Sequence, residues 1–496
     1  MNAKVRIMFA LALGLVTIVG TLLAMETTLE SNLPQAPALD APQTILEPYL
    51  IKDIYSGTAS SSPDYFADVD GTLFFVATDG SPAKELWKSD GTLDGTVLVK
   101  EITKSFSIQY LTNVSSTIFF SARETSFGNE LWKSDGTPTG TVLVKDINPS
   151  FWDSTPEELT NVNGTLFFSA DDGTNGIELW KSDGTPTGTI LVKDINPFGG
   201  SVPVWLTNMS GTLYFAADGG SLGFGLWKSD GTPTGTVMVT NTYAGYLTNV
   251  NGTLFFSGSD GDHGNELWKS DGTLTGTAMV KDIWEGTSSG WASGSYSGRR
   301  ANVNGTFFFI ANDGSHGVEL WKSDGTPTGT VMVKDIWPGS SSCFQDPPSY
   351  SQTPPLLTNM DGTLYFAAND GSNGAELWKS DGTLTGTVMV TDINPGAAGS
   401  RPWVGLSLAP VNNTLFFNAD DGTFGHELWK TDGTPAGTAM VKDIISGSGS
   451  SAPIKMKGIG NRLFFTADDG SHGRELWALL ALQLNHRIYL PLVMKQ

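Results

Sequence analysis

Apolar and polar positions along this chain follow one figure that recurs throughout its length. A full copy spans 159–195, LTNVNGTLFFSADDGTNGIELWKSDGTPTGTILVKDI. Residues 159–162 read as a short strand, and Asn163-Gly164 supplies the positive φ angles of a tight hairpin turn. Residues 165–170 follow, with Leu166, Phe167 and Phe168 adjacent. Three neighbouring apolar side chains predict a strand buried on both faces. The loop 171–176 leads into a third strand, 178–182, and the turn 183–188 into a fourth, 189–195. Four antiparallel strands per copy form one sheet that cannot cover its own faces.

Stacking the copies covers them, and closing the stack into a ring removes the exposed ends. The tryptophan of each ELW marks the period: Trp87, Trp132, Trp180, Trp227, Trp268, Trp321, Trp378, Trp429 and Trp477. The gaps run from 41 to 57 residues, the length of a propeller blade rather than of a helical repeat. The predicted fold is therefore all-β: a β-propeller of four-stranded antiparallel blades over 45–484, with about nine repeats. Closure is legible too. The ninth copy lacks its fourth strand, and YLIKDI at 49–54 precedes the first copy, so the N-terminal strand is expected to complete the ninth blade. Eight blades with an irregular end is the alternative. The repeated ELWKSDGT resembles the bacterial ELWxxDGT-repeat family, and the order of apolar strand, Asp-Gly loop and later Trp resembles kelch-type blades. The family implies an exported, β-propeller-like protein and no particular reaction.

Composition narrows the function classes. The net charge of −22 argues against nucleic acid, whose phosphates attract basic surfaces. Cys343 is the only cysteine, so no intrachain disulfide exists; a free thiol in a loop is expected. Lys4 and Arg6 precede an apolar run at 7–24, the pattern of an export signal. Residues 1–25 are thus expected to be a signal peptide or an uncleaved signal anchor, which would be the protein's one membrane contact. Residues 26–44 read as a linker and 485–496 as a C-terminal tail. A secreted or cell-surface monomer is expected.

The candidate chemistry lies between the strands. The loop aspartates Asp171, Asp172, Asp420, Asp421, Asp468 and Asp469 could share Ca2+ with the ELW glutamate, although Asp-Gly is also the ordinary chemistry of a turn. No other cofactor is expected. His263, His316 and His472 share a loop slot that Phe424 fills in another copy, which speaks against a general base there. No catalytic motif such as HExxH or GxSxG is present. Six tryptophans outside ELW, among them Trp152 and Trp205, are assigned to the connections from a fourth strand to the next first strand. Exposed there, they would make one face of the ring aromatic and variable. Trp284, Trp291, Arg299, Arg300, Trp337, Tyr350 and Trp403 are the expected contacts. The sequence-based expectation is a non-enzymatic binding or scaffold propeller for an extracellular glycan, matrix or protein ligand. The alternatives are a polysaccharide hydrolase or lyase, with a carboxylate pair, or an acid with a Tyr or His, converging at one end of the axial channel, and a purely structural surface protein.

Overall fold

The computed structural model describes residues 44–45, 47–81, 83–102, 108–291, 299–344, 357–402 and 408–482. The expected signal segment, nearly all of the linker, the tail, Tyr350 and Trp403 lie outside the described residues. Residues Ile45–Leu482 form one compact unit.

That unit is a nine-bladed β-propeller of four-stranded antiparallel blades. Blades 1 to 8 span 64–100, 108–145, 157–193, 204–240, 243–281, 300–334, 358–389 and 408–442. The ninth takes three strands from 454–482, and Tyr49–Lys52 adds the outermost one beside Arg474–Leu482. The only helix among the described residues is the single 3-10 turn Gly220–Leu222, and none is long and apolar enough to cross a membrane.

In blade 3 the four strands are Glu157–Val162, Thr165–Asp171, Ile177–Ser182 and Ile190–Lys193. First strands of successive blades lie side by side in eight of the nine joints, so the first strands ring the axis. The second strand is buried on both faces, as the Leu-Phe-Phe run requires: Leu166 and Phe168 are fully buried. The core is nine separate clusters, each drawn from two adjacent blades. One joins Val114, Phe119 and Leu131 of blade 2 to Leu166, Phe168 and Trp180 of blade 3. Burial therefore rewards the joint between blades rather than the single blade.

Three polar devices repeat at the joints. A fourth-strand lysine crosses to the next blade: Lys145 Nζ donates to Thr189 O at 2.8 Å and stands 5.7 Å from the centroid of the Trp180 ring. A third-strand lysine does the same lower down, Lys88 Nζ donating to Gly136 O at 2.9 Å. The ELW glutamate holds the chain that leaves for the next blade. Glu130 accepts from Ile147 N at 2.8 Å, Ser154 N at 3.1 Å and Ser154 Oγ at 2.6 Å. Burial pushes the Glu130 carboxyl up to about 7, against the pull of those hydrogen bonds.

Cys343 is the expected free thiol in a connection between strands, and it is buried there. It stands in the serine slot of this clamp: its N donates to Glu319 Oε1 at 3.1 Å, and its thiol bonds the same carboxylate. Burial and the neighbouring Glu319 push the thiol well up, so it is an unreactive packing group.

Candidate functional site

The strands nearest the axis are irregular in one repeated way. Their register against the second strand breaks between Asp64 and Ala67, Gln109 and Thr112, Glu157 and Thr160, Val204 and Thr207, Gly245 and Thr248, and Ile454 and Lys457. Each break is a bulge. Within it one residue takes a left-handed backbone: Tyr65 (φ 53°), Tyr110 (58°), Glu158 (56°), Trp205 (56°), Tyr246 (59°) and Lys455 (55°). Side chains of this bulk rarely adopt that region, and each costs about 1–2 kcal/mol. A bulge leaves an unpaired residue and turns its side chain out of the regular alternation. On the innermost strand, that sets one chosen side chain apart in each of these six blades. Arg299 holds the corresponding place in blade 6; residues 356 and 407, in blades 7 and 8, lie outside the described residues.

Consecutive bulge residues touch or share a pocket. Tyr65, Phe66, Tyr110, Leu111, Glu158 and Leu159, with two threonines, line an open pocket of about 340 Å³ on the inner strands of blades 1 to 3. Behind Tyr65, Asp64 pairs with Lys455 Nζ at 2.9 Å and so ties blade 1 to blade 9. Glu158 Oε2 accepts from Leu206 N at 3.2 Å, and its carboxylate also bonds Trp205 N. Burial raises the Glu158 carboxyl, while those two amides lower it. Burial likewise raises the phenols of Tyr65 and Tyr110, with Asp64 adding to the first and Glu157 to the second.

The sequence continues as an aromatic cluster at the joint between blades 4 and 5. Trp205 lies 5.1 Å from Tyr246 and 6.3 Å from Tyr243, and Tyr243 stacks on Phe224 at 5.5 Å. Two of the repeated joint devices are missing there. Gly225 replaces the ELW glutamate, and Thr240 replaces the crossing lysine. Past Tyr246 comes Arg300, whose guanidinium carbon is 5.3 Å from the Tyr246 centroid and whose Nε donates to Thr248 Oγ1 at 2.6 Å. Burial pushes the Arg300 pKa down to about 10.

The structure scatters the residues that the sequence singled out. Trp291 is 6% exposed and stacks on Phe309 at 5.4 Å. Trp284 and Trp337 lie flat on the next blade's loop glycines. A Cβ added to Gly314 would sit 2.6 Å from Trp284 Nε1, and one on Gly371 would sit 2.5 Å from Trp337 Nε1. They close blade edges, as Asn148 does on Gly173. Trp205 belongs to an inner strand, Val204–Met209, and not to a connection. Trp152 is exposed, beside Phe151. Of the five expected contacts among the described residues only Arg299 and Arg300 stand at the inner strands.

The loop aspartates are engaged by their own turns. Asp172 Oδ1 accepts from Thr174 N and Asn175 N, Asp421 Oδ1 from Thr423 N and Phe424 N, and Asp469 Oδ1 from Ser471 N and His472 N. Asp171, Asp420 and Asp468 accept from Gly173 N, Gly422 N and Gly470 N. The glutamate proposed to join them is held in the clamp. Among the described residues no three His, Cys, Asp or Glu side chains are grouped to hold a metal ion. His263, His316 and His472 each bond an aspartate of their own loop through Nδ1, at 2.7–2.8 Å. His426 Nδ1 bonds Asn418 Oδ1 at 2.9 Å.

The bulge residues escaped the sequence-based reading. Their signal was the position before the Leu of the L-T-N strand, which holds Tyr110, Glu158, Trp205 and Tyr246 while its neighbours stay constant. Periodicity cannot reveal it, because the bulge itself breaks the period.

No protein-family profile matches the chain, and no curated protein matches it. Solved structures do. A structure from a study of two prolyl endopeptidases matches with a TM-score of 0.38 and 11% identity, over 68% of this chain and 50% of that one. Puromycin hydrolase matches with a TM-score of 0.36 and 12% identity, over 76% of this chain and 61% of that one. A puromycin-hydrolysing peptidase of Mycobacterium tuberculosis matches with a TM-score of 0.38 and 9% identity, over 75% and 60%. The chain thus spans between half and about three-fifths of the structures it matches. Likeness at this level carries no argument about this chain's chemistry. The expected non-enzymatic glycan, matrix or protein-binding scaffold is corrected on physical grounds: Trp284, Trp291 and Trp337 are packing groups rather than a stacking surface.

Proposed function

We propose that the axial channel takes in an extended peptide and that the chain serves peptide hydrolysis as the part that admits substrate. The observation that carries this is the run of bulge side chains at the inner strands. Tyr65, Tyr110, Trp205 and Tyr246 offer ring faces, and Glu158 sets a carboxylate among them. Ring faces suit proline and aromatic side chains and attract cations. The bulges also leave inner-strand peptide groups outside the regular ladder, where an extended chain can bond its own amides. The net charge of −22 draws a cationic peptide toward the ring. The bulge residues act here in intake; cleavage is assigned to none of them.

Fluorescence polarisation with labelled octapeptides rich in lysine, proline and aromatic residues tests this. Wild type is expected to bind them. Glu158→Gln is expected to weaken binding of lysine-rich members about tenfold, and Trp205→Ala that of aromatic members by a similar factor. Equal binding by wild type and both variants, or binding of neutral oligosaccharides in preference to peptides, would refute it.

A further inference from the structure

We infer that Arg300 is an anchor for the carboxylate of a peptide's free C-terminus, so that substrate lies along the channel in one direction. This rests on the channel taking peptides and adds to it a polarity and a substrate class: short peptides with an unblocked end.

The inner strand of each blade carries a leucine just after its bulge residue: Leu111, Leu159, Leu206 and Leu247 in blades 2 to 5. Leu206 and Leu247 are buried between blades. In blade 6 this place belongs to Arg300, and the bulge place before it to Arg299. A guanidinium thus stands where the fold asks only for a methyl-bearing side chain. It is not required to hold the ring together, because the same position works with leucine elsewhere.

Its surroundings leave charge to satisfy. Arg300 bonds one neutral hydroxyl, Thr248 Oγ1, and lies over the Tyr246 ring. No carboxylate of a described residue pairs with it among the ion pairs of the structure. The stack and the Nε bond fix the guanidinium plane while leaving its two terminal nitrogens as a fork. A fixed fork of that kind matches a carboxylate in bidentate fashion. The fork stands at one end of a continuous run of groups, Arg300, Tyr246, Trp205, Glu158, in which each touches the next. The other end of that run is an anion. A zwitterionic peptide has the complementary pattern: a carboxylate at one end, an amine at the other, and side chains to meet the rings between. Neither a neutral glycan nor a polyanion has it.

The test compares each octapeptide with a free C-terminus and as its C-terminal amide. A third peptide, amidated but ending in glutamate, separates a side-chain carboxylate from the main-chain one. Wild type is expected to bind the free acid at least about tenfold more tightly than either amide. Arg300→Leu, the residue of blades 2 to 5, is expected to abolish the preference, with its melting temperature measured alongside to show that the ring is intact. Arg300→Lys should retain part of it. If wild type binds acid and plain amide alike, peptide binding stands and the anchor is wrong. If the glutamate-ended amide matches the free acid, the group is a general carboxylate site and the stated polarity is wrong. If no peptide binds in any form, the channel reading fails and this inference falls with it.

Discussion

The joint between blades 2 and 3 and the joint between blades 4 and 5 solve one packing problem with different chemistry. At the first, Glu130 gathers Ile147 and Ser154, and Lys145 crosses onto Thr189 and Trp180. At the second, Gly225 and Thr240 remove both contacts, and only Lys228 still crosses, to Gly272 O at 2.8 Å. Phe224, Tyr243, Trp205 and Tyr246 take over the joint. The connecting chain shortens with it: 241–242 alone link the two blades, where 146–156 link blades 2 and 3. Polar clamps anchor long connections; where the connection shrinks, nothing is left to clamp and aromatic packing replaces it. That substitution places aromatic surface at the axis, so the joint that departs most from the repeat is also part of the candidate site.

The comparison can be broken from either side. Glu130→Ala removes the acceptor of Ile147 N and Asn148 N and leaves Ser154 N and Oγ only their contacts to Asn129 O. We expect a loss of about 3 kcal/mol, read from the urea midpoint. Gly225→Ala tests the other joint, since the added Cβ would meet Thr240 O at 2.2 Å. About 2 kcal/mol should be lost there, although alanine is the smallest change available. A neutral result would mean that the short connection can move aside. Lys145→Met keeps the packing of the stem but removes the cation over Trp180 and the bond to Thr189 O. It should cost about 1 kcal/mol, and the introduced reverse, Thr240→Lys, should gain no more than that.

The smallest effect is a difference in pH dependence. Burial raises the Glu130 carboxyl from 4.5 to about 7 in the folded protein. Folding therefore favours its protonated form. Its contribution is fully present below the unfolded value, fades as pH rises and is lost above about 7. Glu266 and Glu319 behave alike. The melting temperature of wild type is expected to fall between pH 5 and pH 8, and Glu130→Gln to flatten that slope. An unchanged slope in Glu130→Gln would show that this carboxyl does not titrate in that range.

Much of the fold was legible in the sequence because repetition multiplies a weak local signal. One Asn163-Gly164 pair is a modest hint of a hairpin; a short polar turn at the same place in every copy, Asn-Gly in three of them, in register with the recurring Leu-Trp is an architecture. Even the closing strand at Tyr49–Lys52 could be read as a missing fourth strand. The site was not legible for the opposite reason. Composition drew attention to Trp284, Trp291 and Trp337, and a loop tryptophan gives no sign of whether it faces solvent or the next blade. Tyr65, Tyr110 and Glu158 look like ordinary strand residues until a bulge turns them toward the axis. Arg299 and Arg300 were visible as rare cations in an acidic chain, but the place of Arg300 over Tyr246 depends on ring curvature, which no single unit encodes.

The outermost strand of the ninth blade also sets the order in which this molecule can be finished. Ser61 bonds Glu475 across 414 positions of sequence. Every other joint forms between neighbours along the chain, so blades can condense one after another as synthesis proceeds. The final seam instead has to bring the earliest segment to the latest, at an entropic cost of about 5 kcal/mol for a loop of that length. Until then the growing arc carries an unpaired edge at the last blade and an unclaimed strand at the first. Closure is thus the joint with the largest loop entropy to overcome, and a second copy able to lend its own leading strand would compete for the same edge.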